Sequence, residues 1–170
     1  MSNLEPNKQT KLYGLDKFFN ELIRLYKNNI YPNKILLTGQ KGIGKSTLAY
    51  HFINYVLTLN EEYQYDINNL TINSESTVFK TIINKSNTNL ITIDVNTDKK
   101  SIDIDQIKNL INSLTKSSFN QKPRFVLIDN IELLNINSVN ALLKILEEPN
   151  NNIYFILINN NKKILPTLKS

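Results

Sequence analysis

The residues Gly39-Gln40-Lys41-Gly42-Ile43-Gly44-Lys45-Ser46-Thr47 match the pattern G-x-x-x-x-G-K-[ST] at every fixed position. The chemistry suited to that spacing is capture of a triphosphate tail. Glycines let main-chain N–H groups turn inward on phosphate oxygens, and the helix that follows adds its positive N-terminal end. Lys45 would reach the beta and gamma phosphates, and Ser46 would offer its hydroxyl to Mg²⁺. A second candidate is Asp129, which follows the apolar run Phe125-Val126-Leu127-Ile128. A carboxylate at the end of a buried strand is placed to face a metal ion, often through water. An aspartate there could instead only start a turn; with a phosphate loop upstream, the metal role is the better reading.

The neighbours of Asp129 set limits on the chemistry. Asn130 comes next, and an amide can orient water but cannot accept its proton. Glu132 is two residues further on, in the expected turn. Nucleotide binding is therefore better supported than hydrolysis. Asn159 ends another apolar run and could contact a gamma phosphate or an attacking water. It also opens the run Asn159-Asn160-Asn161, three turn formers, and the two readings stand side by side. His51, the single histidine, falls opposite Phe52 and Val56 on its predicted helix. It reads as exposed, and neither a cysteine nor a second histidine is available to share a metal.

These groups need elements to position them. Ile35-Leu36-Leu37 reads as a buried strand leading into the glycine loop, and Leu48, Ala49, Phe52, Ile53, Val56 and Leu57 predict a helix over about 45–59 after it. Upstream, Leu15, Phe18, Phe19, Leu22, Ile23 and Tyr26 recur at helical spacing over 15–28, with Pro32 closing the link. Further strands are expected at 90–95, 125–128 and 154–158. Helices are expected at about 104–116, where Asp103 and Gln106 have the spacing of a reciprocal cap, and around Val139 to Leu146, stopped by Pro149. Residues 60–89 carry weak signals and read as a surface insertion with one short helix near Val78 to Ile83. Strands alternating with helices imply an α/β fold, a mostly parallel sheet with helices on both faces. In such sheets ligands bind beyond the carboxyl ends of the strands.

Composition narrows the class. At 170 residues the chain suits one domain, with 41% apolar residues. There is no run long enough to span a membrane and no signal-peptide pattern in the polar N-terminus. The absence of cysteine excludes disulfides, thiolate zinc sites and thiol catalysis, and fits a cytoplasmic protein. The net charge of +5 is carried mostly by lysines near the two ends. A solvated lysine surface accounts for it; contact with a nucleic-acid backbone is the alternative.

Several segments carry a family likeness. Asn140-Ala141-Leu142-Leu143-Lys144-Ile145-Leu146-Glu147-Glu148-Pro149 resembles the N-A-L-L-K-x-L-E-E-P helix of bacterial clamp-loader subunits. Ile164 to Ser170 resembles the stretch before their S-R-C motif, and Ile104-Asp105-Gln106-Ile107 their segment before the Walker B strand. Leu36-Leu37-Thr38-Gly39, followed by Leu48-Ala49-Tyr50, looks most like the delta-prime branch of this DNA polymerase III family, with gamma/tau next. The likeness implies an AAA+ P-loop NTPase module, a three-layer α/β/α sandwich with sheet order 5-1-4-3-2. It also implies ATP and Mg²⁺ as ligands and assembly with other clamp-loader subunits to place a sliding clamp on primed DNA.

By motif position, Asn159 would be the sensor 1 residue, and the backbone around Leu12-Tyr13-Gly14 would lie near the adenine. Departures from the pattern shape the expectations. No zinc is expected where relatives hold a zinc module. Asn130 stands at the Walker B glutamate, which suits a subunit with weak or no turnover of its own. The sequence given, 1–170, stops before the S-R-C arginine, so the fifth strand and helical lid are expected to lie outside it. That would leave the P-loop strand as an exposed sheet edge. A stator subunit that binds nucleotide without hydrolysing it is one alternative function. A P-loop small-molecule kinase is a weaker one, because Arg24 and Arg124 are the only arginines and neither suits a lid.

Overall fold

The computed structural model describes residues 4–148 and 152–160. Where the sequence suggests one domain, the chain divides into two compact units. One contains the residues up to Pro32 together with 44–87; the other contains 33–43 and the residues from Thr88 onward.

The second unit is a four-stranded parallel sheet. Strands β1 (Lys34–Thr38), β2 (Leu90–Ile93), β3 (Arg124–Ile128) and β4 (Ile153–Asn159) lie in the order β1-β4-β3-β2. This is the expected order without its fifth strand, and β1 is an edge strand among the described residues. The pairing aligns strand ends, with Thr38 beside Asn159 and Ile93 beside Ile128. Polar residues that follow these strands therefore collect on one rim.

Side-chain alternation explains why the inner strands are continuously apolar. Val126, Ile128, Phe155 and Leu157 pack into a core with Ile107, Leu110, Val139, Leu142 and Leu146 from the helices. Those helices are Ile104–Thr115 and Ile136–Glu147. Phe125, Leu127, Ile156 and Ile158 alternate to the opposite face and are buried as well. The capping box forms in full: Gln106 N donates to Asp103 Oδ1, and Asp103 N donates to Gln106 Oε1. Asn135 caps the later helix by accepting from Ser138 N at 2.9 Å. Pro149, the expected stop, lies outside the described residues, as does the stretch from Ile164 to Ser170.

The first unit is helical: α1 (Asp16–Lys27), α2 (Lys45–Leu57) and α3 (Thr77–Ile83). The helices Ile104–Thr115 and Ile136–Glu147 are α4 and α5. Phe19, Leu22 and Ile23 carry the buried stripe of α1, while Phe18 is exposed, because it lies one helical quarter-turn off that stripe. The core of this unit is aromatic. Phe52 stacks on Tyr31 with ring centroids 4.9 Å apart, and Phe19 lies against Tyr65 at 5.1 Å.

Residues 60–89 do more than cover the surface. Tyr65, Ile72, Val78, Phe79 and Ile82 are buried, and Thr71 of the segment forms an antiparallel bridge with Lys11. Leu12 N donates to Leu70 O, Ile72 N donates to Thr10 O, and Asp66 pairs with Thr71.

His51 corrects the sequence reading: it is fully buried. One ring nitrogen, Nε2, lies 2.8 Å from the Gln9 carbonyl oxygen, and Nδ1 lies 2.7 Å from the Tyr65 hydroxyl. A carbonyl only accepts, so Nε2 carries the proton and Tyr65 donates to Nδ1. Burial lowers the His51 pKa to about 4, against a smaller opposing contribution from the Gln9 bond. Burial, reinforced by the nearby Asp66 charge, raises that of Tyr65. The face opposite Phe52, which reads as solvent-exposed on a helical wheel, is covered by the N-terminal segment and by Tyr65.

Candidate functional site

The glycine loop follows β1, and the chain passes from one unit to the other between Ile43 and Gly44. On the sheet side, Gly39 N donates to the Asn159 carbonyl at 3.3 Å, which ties the loop's first residue to the end of β4. Gln40, Lys41, Gly42 and Ile43 follow, and Ile43 is half-exposed. Gly42 and Gly44 have φ of +87° and +94°, a region that L side chains avoid.

Gly44 is constrained twice, because a Cβ there would come within 3.0 Å of Leu15 Cδ1. It is also the N-cap of α2, so that helix starts with no side-chain cap. Lys45, Ser46 and Thr47 form the first turn, and Lys45 is buried. A buried lysine beside the positive end of a helix suits an anion at this place.

The carboxyl rim of the sheet carries a polar cluster. Asp129 Oδ1 accepts from Asn130 N at 2.8 Å and from Asn160 Nδ2 at 3.1 Å. Asn130 sits in the left-handed region at φ +53°, which asparagine tolerates better than most residues. Its Nδ2 donates to Asp94 Oδ1 at 2.7 Å, and its Oδ1 accepts from Asn160 Nδ2 at 2.8 Å. Glu132 Oε2 accepts from Asn160 N at 3.2 Å. Glu132 thus reaches the same cluster as Asp129, through Asn160.

The predicted residues fall into different places. Asp129 and Asn130 meet on the rim. Asn159 is buried at the end of β4, and it is its main-chain oxygen that reaches Gly39. Tyr13 is 79% exposed, while its neighbour Leu12 is buried. Sequence reasoning missed Asp94 and Asn160. Asp94 had a signal, since it ends an apolar strand just as Asp129 does. Asn160 had none beyond its place in a run of turn formers. Both arginines have local duties: Arg24 pairs with Glu21, and the Arg124 guanidinium donates to the carbonyls of Ser113 and Lys116.

Ser46 and Asp129 each carry a hard oxygen, the donor type that magnesium takes together with phosphate and water. Among the described residues no group of three or more His, Cys, Asp or Glu could form a freestanding metal cage. No helix of the described residues is long and apolar enough to cross a membrane.

Comparison with known proteins places this fold. The family model for "DNA polymerase III, delta subunit" matches residues 14–170. The DNA polymerase III subunit delta′ of Buchnera aphidicola subsp. Schizaphis graminum is 30% identical over 162 residues, covering 92% of this chain and 46% of that protein. The Pseudomonas aeruginosa subunit delta′ is 28% identical over 141 residues, covering 82% of this chain and 41% of that protein. A DNA polymerase III gamma subunit-related protein from Thermotoga maritima has a similar structure. Its TM-score is 0.56 at 18% identity, over 91% of this chain and 41% of that one. At such identity the likeness concerns the fold alone.

The chain spans less than half the length of these relatives. A match from residue 14 to 170, on a parallel sheet in the expected order, shows that the chain belongs to the DNA polymerase III delta subunit family, alongside the DNA polymerase III delta′ subunits.

Proposed function

We propose that this chain is the nucleotide-binding part of a clamp-loader subunit, which binds ATP with Mg²⁺ and helps load a sliding clamp onto primed DNA. The observation that carries this reading is the start of α2. Two left-handed glycines lead into an N-cap without a side chain, and a buried lysine follows at the first helical position. Backbone N–H groups of that turn would hold phosphate oxygens, Lys45 would pair with the beta and gamma phosphates, and Ser46 and Asp129 would hold the ion. Bound magnesium would neutralise charge on the phosphate tail. Partners on this reading are the other clamp-loader subunits, the clamp, and DNA through the assembly, and the location is the cytoplasm.

A second form of the reading, a stator that binds nucleotide with little turnover, is favoured by Asn130. Its amide cannot take a proton from water, and both of its ends are engaged, with Asp94 and with Asn160. The kinase alternative loses support because both arginines serve local contacts.

Equilibrium binding of ATP in magnesium buffer, with Lys45→Ala as the blank, tests the binding claim. Retention by the wild type and loss in the variant is expected; equal retention would remove it. Turnover by the assembled complex that disappears with Lys45→Ala in this subunit would overturn the stator form.

A further inference from the structure

Resting on the reading of Asp129 as a magnesium ligand, we propose that Asn160 is the positioning residue for that carboxylate, and that Asn130 is the link tying Asn160 to Asp94. The four side chains form one chain of hydrogen bonds across the rim, from Asp94 through Asn130 and Asn160 to Asp129, with spacings of 2.7, 2.8 and 3.1 Å. Its direction is dictated by chemistry. A carboxylate only accepts, so Asn130 must turn its NH₂ to Asp94, which points its oxygen at Asn160. Asn160 must then spend its two N–H bonds on that oxygen and on Asp129. Neither amide can flip without setting oxygen against oxygen.

Three backbone contacts fix the members further. Asp94 Oδ1 accepts from Val95 N at 2.7 Å, Asp129 Oδ1 accepts from Asn130 N, and Glu132 holds Asn160 N. The Asp129 carboxylate is thus held at Oδ1 by two donors, which sets its rotation before any metal arrives. Groups that hydrogen-bond a metal ligand commonly matter tenfold or more for metal affinity.

The same geometry explains the residue at 130. A glutamate there would have to adopt φ +53°, which suits asparagine and disfavours longer side chains. It would also bring a second negative charge toward Asp94 and remove the only NH₂ that Asp94 takes from this position. Position 130 is matched to Asp94, so the change of this one residue does not by itself create a water-activating site.

The test uses the whole chain and compares ATP affinity with Mg²⁺ against affinity in EDTA. The ratio, the magnesium enhancement, is the readout, because a general loss of folding would lower both affinities together. Asn160→Ala should reduce the enhancement about tenfold and leave the EDTA affinity unchanged. Asn160→Asp keeps the size and replaces a donor with an acceptor, so it should do the same, and it serves if the alanine variant is poorly folded. A wild-type enhancement retained in a folded Asn160 variant overturns the proposal alone. No enhancement in the wild type overturns the magnesium reading, and this proposal with it. A second arm needs no metal: the stability losses of Asn130→Ala and Asn160→Ala should be strongly non-additive in the double variant. Additive losses would overturn the linked chain.

Discussion

Helices α2 and α4 are nearly equal in length, thirteen and twelve residues, and are held by opposite means. α4 is closed by a full capping box and buries only Ile107 and Leu110. α2 starts from a glycine in the left-handed region, with no side chain to cap it, and ten of its thirteen residues are buried. Local side chains secure α4 and distant ones α2. On the proposed reading the start of α2 receives phosphate and cannot also be filled by its own cap, so its stability has to come from packing further along. Phe52, Tyr55 and His51, one to three turns on, supply that packing through Tyr31, Phe19, Tyr65 and Gln9.

The strongest way to break the contrast is Phe52→Ala. Phe52 is fully buried among Tyr26, Tyr31 and Tyr55, and its loss should cost about 4 kcal/mol in denaturant unfolding. Leu110→Ala on α4 should cost about 3 kcal/mol, since it too is buried in a core. A larger loss for Leu110 than for Phe52 would mean that α2 is not held mainly by its aromatic flank.

Gly44→Ala attacks the other end of α2. An alanine at φ +94° is strained by about 1–2 kcal/mol, and its Cβ would press on Leu15 Cδ1. The variant should be less stable by about 2 kcal/mol and should lose most of its ATP retention, measured by equilibrium dialysis. Retention at the wild-type level would show that the left-handed turn is not needed for the ligand.

How much of this was legible in the sequence follows the range of the interactions. The four strands were readable within one or two residues, because each is mostly apolar between polar ends; the inner strands β3 and β4 are buried on both faces, which demands apolar runs, while β2 keeps Thr92 exposed. The capping box was readable because Asp103 and Gln106 are only three positions apart. His51 was misread because a helical wheel assumes one dry face, whereas α2 is covered nearly all round, on the histidine side by Gln9 from 42 positions away. Asp94 and Asn160 were missed for the same reason. Their bonds to Asn130 and Asp129 cross 36 and 31 positions, and only the register of the strands brings those ends together. The glycine loop needed no such help, since its residues are consecutive.

His51 gives the contrast a pH dependence. Its pKa is lowered to about 4 in the folded chain, from 6.5 as the ordinary value, because burial disfavours the imidazolium. Between those values the unfolded chain binds more protons, so stability rises with pH there and is lost as pH falls from about 6.5 toward 4. Between pH 7 and pH 5 the loss should be about 2 kcal/mol. Urea unfolding at the two pH values measures it, and His51→Gln should flatten the difference. An unchanged difference in that variant would assign the pH dependence to other groups. Tyr65→Phe, which removes the donor to Nδ1 and leaves that nitrogen buried, should cost about 1–2 kcal/mol at neutral pH.

The smallest effect is expected where a helix is secured by its own cap. Asn135 accepts from Ser138 N at the start of α5, and Ser138 is itself buried with its hydroxyl donating to Ile102 O at 3.0 Å. Asn135→Ala should therefore cost only about 1 kcal/mol, and Asn135→Asp almost nothing, because aspartate caps as well as asparagine. Neither change should alter ATP retention, since α5 offers its first turn to its own side chain. Amide hydrogen exchange would localise the loss to the first turn of α5 in the alanine variant. If Asn135→Ala weakened nucleotide binding as much as Gly44→Ala, the division between a helix start closed for stability and one left open for a ligand would not hold.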